Sequence, residues 1–302
     1  YSFVTWAGMA FFGKHQWLGK GEVFTILFGL FSRFAITEVR CTNRALCKPC
    51  AQGCLAWERC VNCYECIETS EPNERELNVR PFAVGLSQQS ETSVATSIFV
   101  LLALAMVTFD GLTETSLWVD FQTVIYPSAQ IVGGNTVQII DTLGLILVLI
   151  AFILVYFGFS WVIRECLGEP FSVSYVASKF VFALVPIALA YNLAHYASFL
   201  LIQGQLVIPL LSDPFGYGWN LFGGADYNVN IGVINAKTAW FISVTAIVLG
   251  HVISVYLAHM IALSQTKVAS RALKSQYPML LLMVLYTATS LWIIAQPIVN
   301  EM

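Results

Sequence analysis

Five runs of apolar residues, at 93–109, 139–163, 173–202, 238–263 and 278–299, approach or exceed the length a helix needs to cross a bilayer. A crossing takes about 20 residues. Inside hydrocarbon no water is present to satisfy backbone N–H and C=O groups, so a spanning segment must be a helix or part of a closed barrel. The runs are continuously apolar and do not alternate, which selects helices. Hydrophobic residues make up 57% of the 302 residues and charged residues 11%, against roughly a quarter charged in a soluble domain. The expected fold is therefore all-α, a polytopic transmembrane helical bundle of five helices. Two shorter runs, at 2–13 and 22–36, raise the total to seven if both insert; the second is short enough to lie in the interface or re-enter. Tyr1 already lies inside an apolar run, so the first of these is expected to be a helix truncated upstream. Three regions follow: N-terminal membrane helices over 1–36, a polar loop over 37–92, and a bundle over 93–302.

Lysine and arginine set the orientation, because they accumulate in cytoplasmic loops. Residues 37–92 hold Arg40, Arg44, Lys48, Arg59, Arg75 and Arg80, whereas 110–138 and 203–236 hold none. Arg164, Lys179, Lys267, Arg271 and Lys274 fall on the same side as the first group. The polar loop is thus cytoplasmic and the C-terminus outside, as expected for a multi-pass protein of the bacterial inner membrane. The two loops without lysine or arginine are rich in Gly, Pro and aromatics. They read as an interfacial belt with Trp118, Tyr217 and Trp219 at headgroup level, or as a docking face for another membrane subunit. The lipid bilayer and other membrane subunits are the expected partners; a net charge of −3 argues against nucleic acid.

The polar loop carries "CTNRALCKPCAQGCLAWERCVNCYEC", with seven of the chain's eight cysteines. Cys41, Cys47 and Cys50 recur thirteen residues later as Cys54, Cys60 and Cys63, and Cys66 follows. In a reducing cytosol, clustered cysteines point to metal ligation or thiol chemistry before disulfides. Cys47-x2-Cys50 and Cys60-x2-Cys63, nine residues apart, have the spacing of a compact zinc knuckle. Cys60-x2-Cys63-x2-Cys66 matches the first three ligands of a bacterial ferredoxin motif, but Ser70 stands where the fourth would fall. A ligand from the first half would then be needed. Zinc and an iron–sulfur cluster both remain open, since thiolate sets suit either.

Ionisable side chains inside spanning helices are costly and mark functions or partners. His195 and His251 fall at comparable depths on different helices, where a pair of imidazoles can hold a haem or a transition metal. His259 lies two turns further along and is rotated away from His251. Asp110 ends the helix at 93–109, Asp141 opens the next at a similar level, and Asn192 lies one turn from His195. Together these residues sketch a polar intramembrane pocket that can bind a cofactor, pass a cation or relay protons. The alternative is that each imidazole bonds a neighbouring helix as packing glue. No G-x-S-x-G, H-E-x-x-H or P-loop is present.

The segments "TFDG" at 108–111, "HYASFLLIQGQ" at 195–205, "LLSDPFGYGWNLFG" at 210–223, "GHVISVYLAHMIAL" at 250–263, "SQYPMLLLMVLYT" at 275–287 and "SLWIIAQPIV" at 290–299 resemble a family of bacterial polytopic membrane proteins labelled fenitrothion hydrolase. The resemblance spans roughly residues 80–299 and implies cleavage of an organophosphate ester, with no site residues to carry over. It leaves the cysteine block outside. The residues themselves point first to a membrane metal- or cofactor-binding subunit in electron transfer or metal handling. A transporter of a cation or small solute is the first alternative and a membrane-bound organophosphate ester hydrolase the second. The orientation predicts that a membrane-impermeant thiol reagent applied to intact cells leaves Cys41 to Cys66 unmodified and labels an Asn300→Cys variant; the reverse pattern would invert the topology.

Overall fold

The computed structural model describes residues 1–46, 60–87 and 93–300. The chain divides into two compact units, Tyr1–Thr92 and Ser93–Met302. The architecture is an all-α bundle with one small sheet, and five helices among the described residues are long and apolar enough to cross a membrane. This is a membrane protein.

The first unit opens with three short helices, α1 (Ser2–Phe12), α2 (Lys14–Lys20) and α3 (Val23–Phe31). As described, α1 rises only about 16 Å, half a bilayer core. Gly8 and Gly21 close over the Trp17 indole, which a Cβ at either position would overlap. Glu22 caps α3 by accepting from Phe24 N at 3.0 Å and from Thr25 N, and it also takes a hydrogen bond from the Tyr1 hydroxyl. Beyond α3 lie β1 (Thr37–Cys41), β2 (Cys60–Val61), α4 (Tyr64–Thr69) and β3 (Arg75–Val79). β1 is central in the order β2-β1-β3 and antiparallel to both neighbours.

A buried ion pair organises this sheet. Arg80 Nη1 lies 3.2 Å from Glu38 Oε2, with both side chains almost fully enclosed. Arg80 also donates to the carbonyls of Ser32, Arg33 and Ala35, which end the α3 segment. Arg40 pairs with the other Glu38 oxygen. Buried charges are tolerated where, as here, partners saturate them.

The second unit contains α5 (Val94–Thr113), α6 (Ser116–Ala129), α7 (Thr136–Leu167), α8 (Val173–Phe180), α9 (Val185–Gln203), α10 (Val207–Ser212), α11 (Ala236–Gln265) and α12 (Ala269–Asn300). Ser93, Thr115, Asn135, Ser172 and Asn235 cap five of them by accepting a backbone N–H from the first turn. These are the residue types whose short side chains satisfy otherwise orphaned amides. The loop at 110–138 therefore contains a helix, α6, on which Trp118 is buried against Phe109 instead of lying at a surface.

α8 and α9 form one span joined by a 3-10 turn, Val181–Leu184. Pro186 at the start of α9 explains that turn, since it offers no N–H and its ring crowds the preceding carbonyls. This span is the most buried of the five, with 72% of its apolar window enclosed, while α7 keeps most of its surface outward. The span is thus the core strut against which the other helices pack. Its closest approach is to α11: a Cβ at Gly250 would overlap the Ala190 methyl and come within 2.9 Å of the Pro186 carbonyl oxygen. Without a hydrophobic drive between helices in lipid, such small-residue contacts carry the packing. Gly250→Ala is expected to destabilise the bundle by about 1–3 kcal/mol through overpacking. Gly158→Ala, where a Cβ meets nothing within 4 Å, serves as control and should leave the unfolding midpoint in an SDS titration unchanged or raised.

Candidate metal centre

Cys60, Cys63 and Cys66 bring their Sγ atoms within 4.8 Å of one another, and all three are buried. Local geometry explains the convergence. Cys60 opens β2, Val61 ends its short pairing with β1, and Asn62 then takes a left-handed conformation (φ 50°), which asparagine tolerates better than most residues. Asn62 N–H donates to Val39 O and its Oδ1 accepts from Val39 N–H, both at 2.8 Å, so the turn is anchored to β1. Cys63 is the residue preceding α4 and Cys66 lies in its first turn, so both project from the start of one helix.

Cys41, opposite Cys60 in the β1–β2 register, is buried in the same cluster, with Leu46 packed against it. Cys47, Cys50 and Cys54 lie outside the described residues. Ser70, at the position of a fourth ferredoxin ligand, is buried; its Oγ donates to Ile67 O at 3.1 Å and accepts from Arg75 Nε at 3.0 Å. That hydroxyl belongs to the end of α4.

A ring of polar contacts holds the cluster's rim. Glu74 O accepts from Thr42 N at 2.9 Å, and its carboxylate accepts from Asn43 Nδ2 at 2.6 Å and Glu71 N at 3.0 Å. α4 is tied to α2 by Lys14, whose Nζ lies 3.7 Å from Glu68 and over the Tyr64 ring. Buried sulfurs this close could hold a soft or borderline metal ion through their thiolates.

The polar residues of the bundle form separate groups. His195 Nε2 and the Tyr196 hydroxyl both bond Asp110 Oδ2 at 2.8 Å, joining α9 to the last turn of α5. The Asp110 side chain is about half exposed. Gly111 lets Ile293 of α12 approach α5, since a Cβ there would lie 2.6 Å from Ile293 Cγ2, while the Tyr191 hydroxyl and His195 Cε1 would be in ordinary contact at 3.4 and 3.6 Å.

His251 is held differently. Its Nδ1 lies 2.8 Å from Ile247 O of its own helix, and its Nε2 meets Met283 O at 3.2 Å and the Thr287 hydroxyl of α12. The partners of His195 and His251 share no residue. The turns carrying them meet through the apolar cluster of Val107, Tyr191, Ala194 and Ile247. His259 Nδ1 bonds Gln276 Oε1 at 2.9 Å, again between α11 and α12. Asp141 Oδ1 accepts from Trp118 Nε1 at 3.0 Å and Gln122 Nε2 at 2.7 Å, fastening α6 to α7. Asn192 bonds the Ala188 carbonyl one turn back. Tyr191, Tyr196 and Thr287 had no sequence signal beyond hydroxyls on apolar helices; adjacency to His195 was the only hint for Tyr196.

Compared with protein-family models, curated proteins and solved structures, the chain has no match.

The Glu74 carboxyl is held below its ordinary value of 4.5, chiefly by the Glu71 backbone N–H and then by Asn43. A depressed carboxyl stabilises the fold fully above its unfolded value and loses that contribution as pH falls through the lower folded value. Hydrogen exchange at the Thr42 amide, corrected for intrinsic rates, should therefore quicken below about pH 4.5. Glu74→Gln should exchange faster already at neutral pH and lack most of the acid step; an unchanged step in the variant would assign it to another group.

Proposed function

We propose that the protein is an integral membrane metal-binding subunit, working in electron transfer or metal handling, whose cysteine region faces the cytoplasm and holds a metal through thiolates. The observation that carries this reading is the burial and mutual approach of the Cys60, Cys63 and Cys66 sulfurs. A reducing compartment keeps such thiols available for ligation. β2 presents Cys60 and the start of α4 presents Cys63 and Cys66, leaving a fourth position of a tetrahedral ion to another ligand. Bound zinc would make the region a structural or metal-handling module; bound iron would add one-electron chemistry at the membrane face.

Elemental analysis and a visible spectrum of the purified full chain test the reading. Zinc or iron is expected in stoichiometric amount, with thiolate-to-iron absorption in the second case. Cys63→Ser should lose the metal while the five spanning helices stay inserted, because insertion depends on apolar length. Protein containing neither metal above background would end this proposal.

A further inference from the structure

We propose that Cys41 supplies the fourth thiolate, so that Cys41, Cys60, Cys63 and Cys66 together hold one metal ion. This rests on the metal-binding reading above and specifies its ligands and its nuclearity.

Register places Cys41. It stands directly opposite Cys60 in an antiparallel pair, where the two side chains leave the sheet on the same face. Its side chain is buried in the cluster formed by the other three cysteines. As a thiol, its Sγ lies 3.7 Å from Asn43 O, within reach of a weak hydrogen bond that ligation would replace. The 2.8 Å bonds from Asn62 to Val39 fix the start of α4 two residues from Cys41 on the same strand. Four sulfurs thus come from three elements locked to one another by backbone pairing. The spacing of the sequence had coupled Cys60-x2-Cys63 to Cys47-x2-Cys50; in the folded unit its described neighbours are Cys66 and Cys41.

Distance sets the nuclearity. Sulfurs about 2.3 Å from one tetrahedral ion lie about 3.8 Å apart. In a cubane cluster each cysteine binds a different iron, which spreads the sulfurs over the corners of a larger body. The sulfurs of Cys60, Cys63 and Cys66, within 4.8 Å of one another, match the single ion, and Cys41, which packs against them with its Sγ beyond that mutual distance, reaches the fourth position by a side-chain adjustment.

X-ray absorption on the full chain purified in detergent reads both points. The expected result is one zinc or iron per chain with four sulfurs near 2.3 Å and no metal–metal scattering. Cys41→His should keep one ion with three sulfurs and one nitrogen. A triple variant, Cys47→Ser with Cys50→Ser and Cys54→Ser, should keep one ion and all four sulfurs. Should the histidine variant fail to fold, alkylation mapping of the native protein decides: Cys41 should be protected together with Cys60, Cys63 and Cys66, and all four should react once a chelator removes the metal. Four sulfurs persisting in Cys41→His, sulfur lost from the triple variant, Cys41 alkylated with the metal still bound, or metal–metal scattering would each overturn this assignment while leaving the metal-binding reading intact. A wild-type chain without metal would overturn both.

Discussion

The constraint on which the bundle depends is that a peptide group in hydrocarbon must find its hydrogen bond within the protein. An unsatisfied amide there costs several kcal/mol. Five long helices among the described residues answer that demand, and the break before Pro186 in one of them occurs where protein surrounds it. The 3-10 turn before Pro186 sits in the most buried span, packed against α11 through Gly250 and Ala190. On the outward face of α7 the same irregularity would expose carbonyls to lipid. The strut can be irregular because its neighbours enclose it.

Polar side chains in the bundle follow the same accounting. His251, His259 and Asp141 each tie one helix to the next through a carbonyl, an amide, a hydroxyl or an indole N–H. Interhelical bonds of this kind contribute on the order of 1 kcal/mol, and their main effect is to select register and rotation. His195, Tyr196 and Asp110 differ because their carboxylate stays half exposed. Both nitrogens of His251, by contrast, are engaged.

The cysteine region obeys the logic of a small soluble domain. Among the described residues its sheet has three short strands, and the Glu38–Arg80 pair and four cysteines are buried alongside a few apolar side chains such as Phe34, Ala83 and Leu86. Domains of this size commonly recruit a metal to supply what a hydrophobic core cannot. The Glu74 contacts fasten the segment after β1, and the Asn62 turn fastens the start of α4 to β1.

Apolar length alone determined the five spans: each expected run falls on one of them, although 173–202 is divided between α8 and α9 and α12 begins at Ala269, nine residues before the expected start. Hydrogen-bond closure in lipid leaves a continuous apolar run no other fold. Residue type and clustering likewise marked the thiols, Asp110 and the histidines as chemically expensive. What they could not contain was pairing. That Cys60 faces Cys41 follows from a strand register between residues nineteen apart in sequence. Asp110 meets His195 across 85 positions, and His251 turns to Thr287 instead of His195, because of how α5, α9, α11 and α12 pack. Helical spacing gives depth along one axis and says nothing of rotation about it. Rotation is set by small-residue contacts such as Gly250 on Ala190, and these exist only once two helices have met.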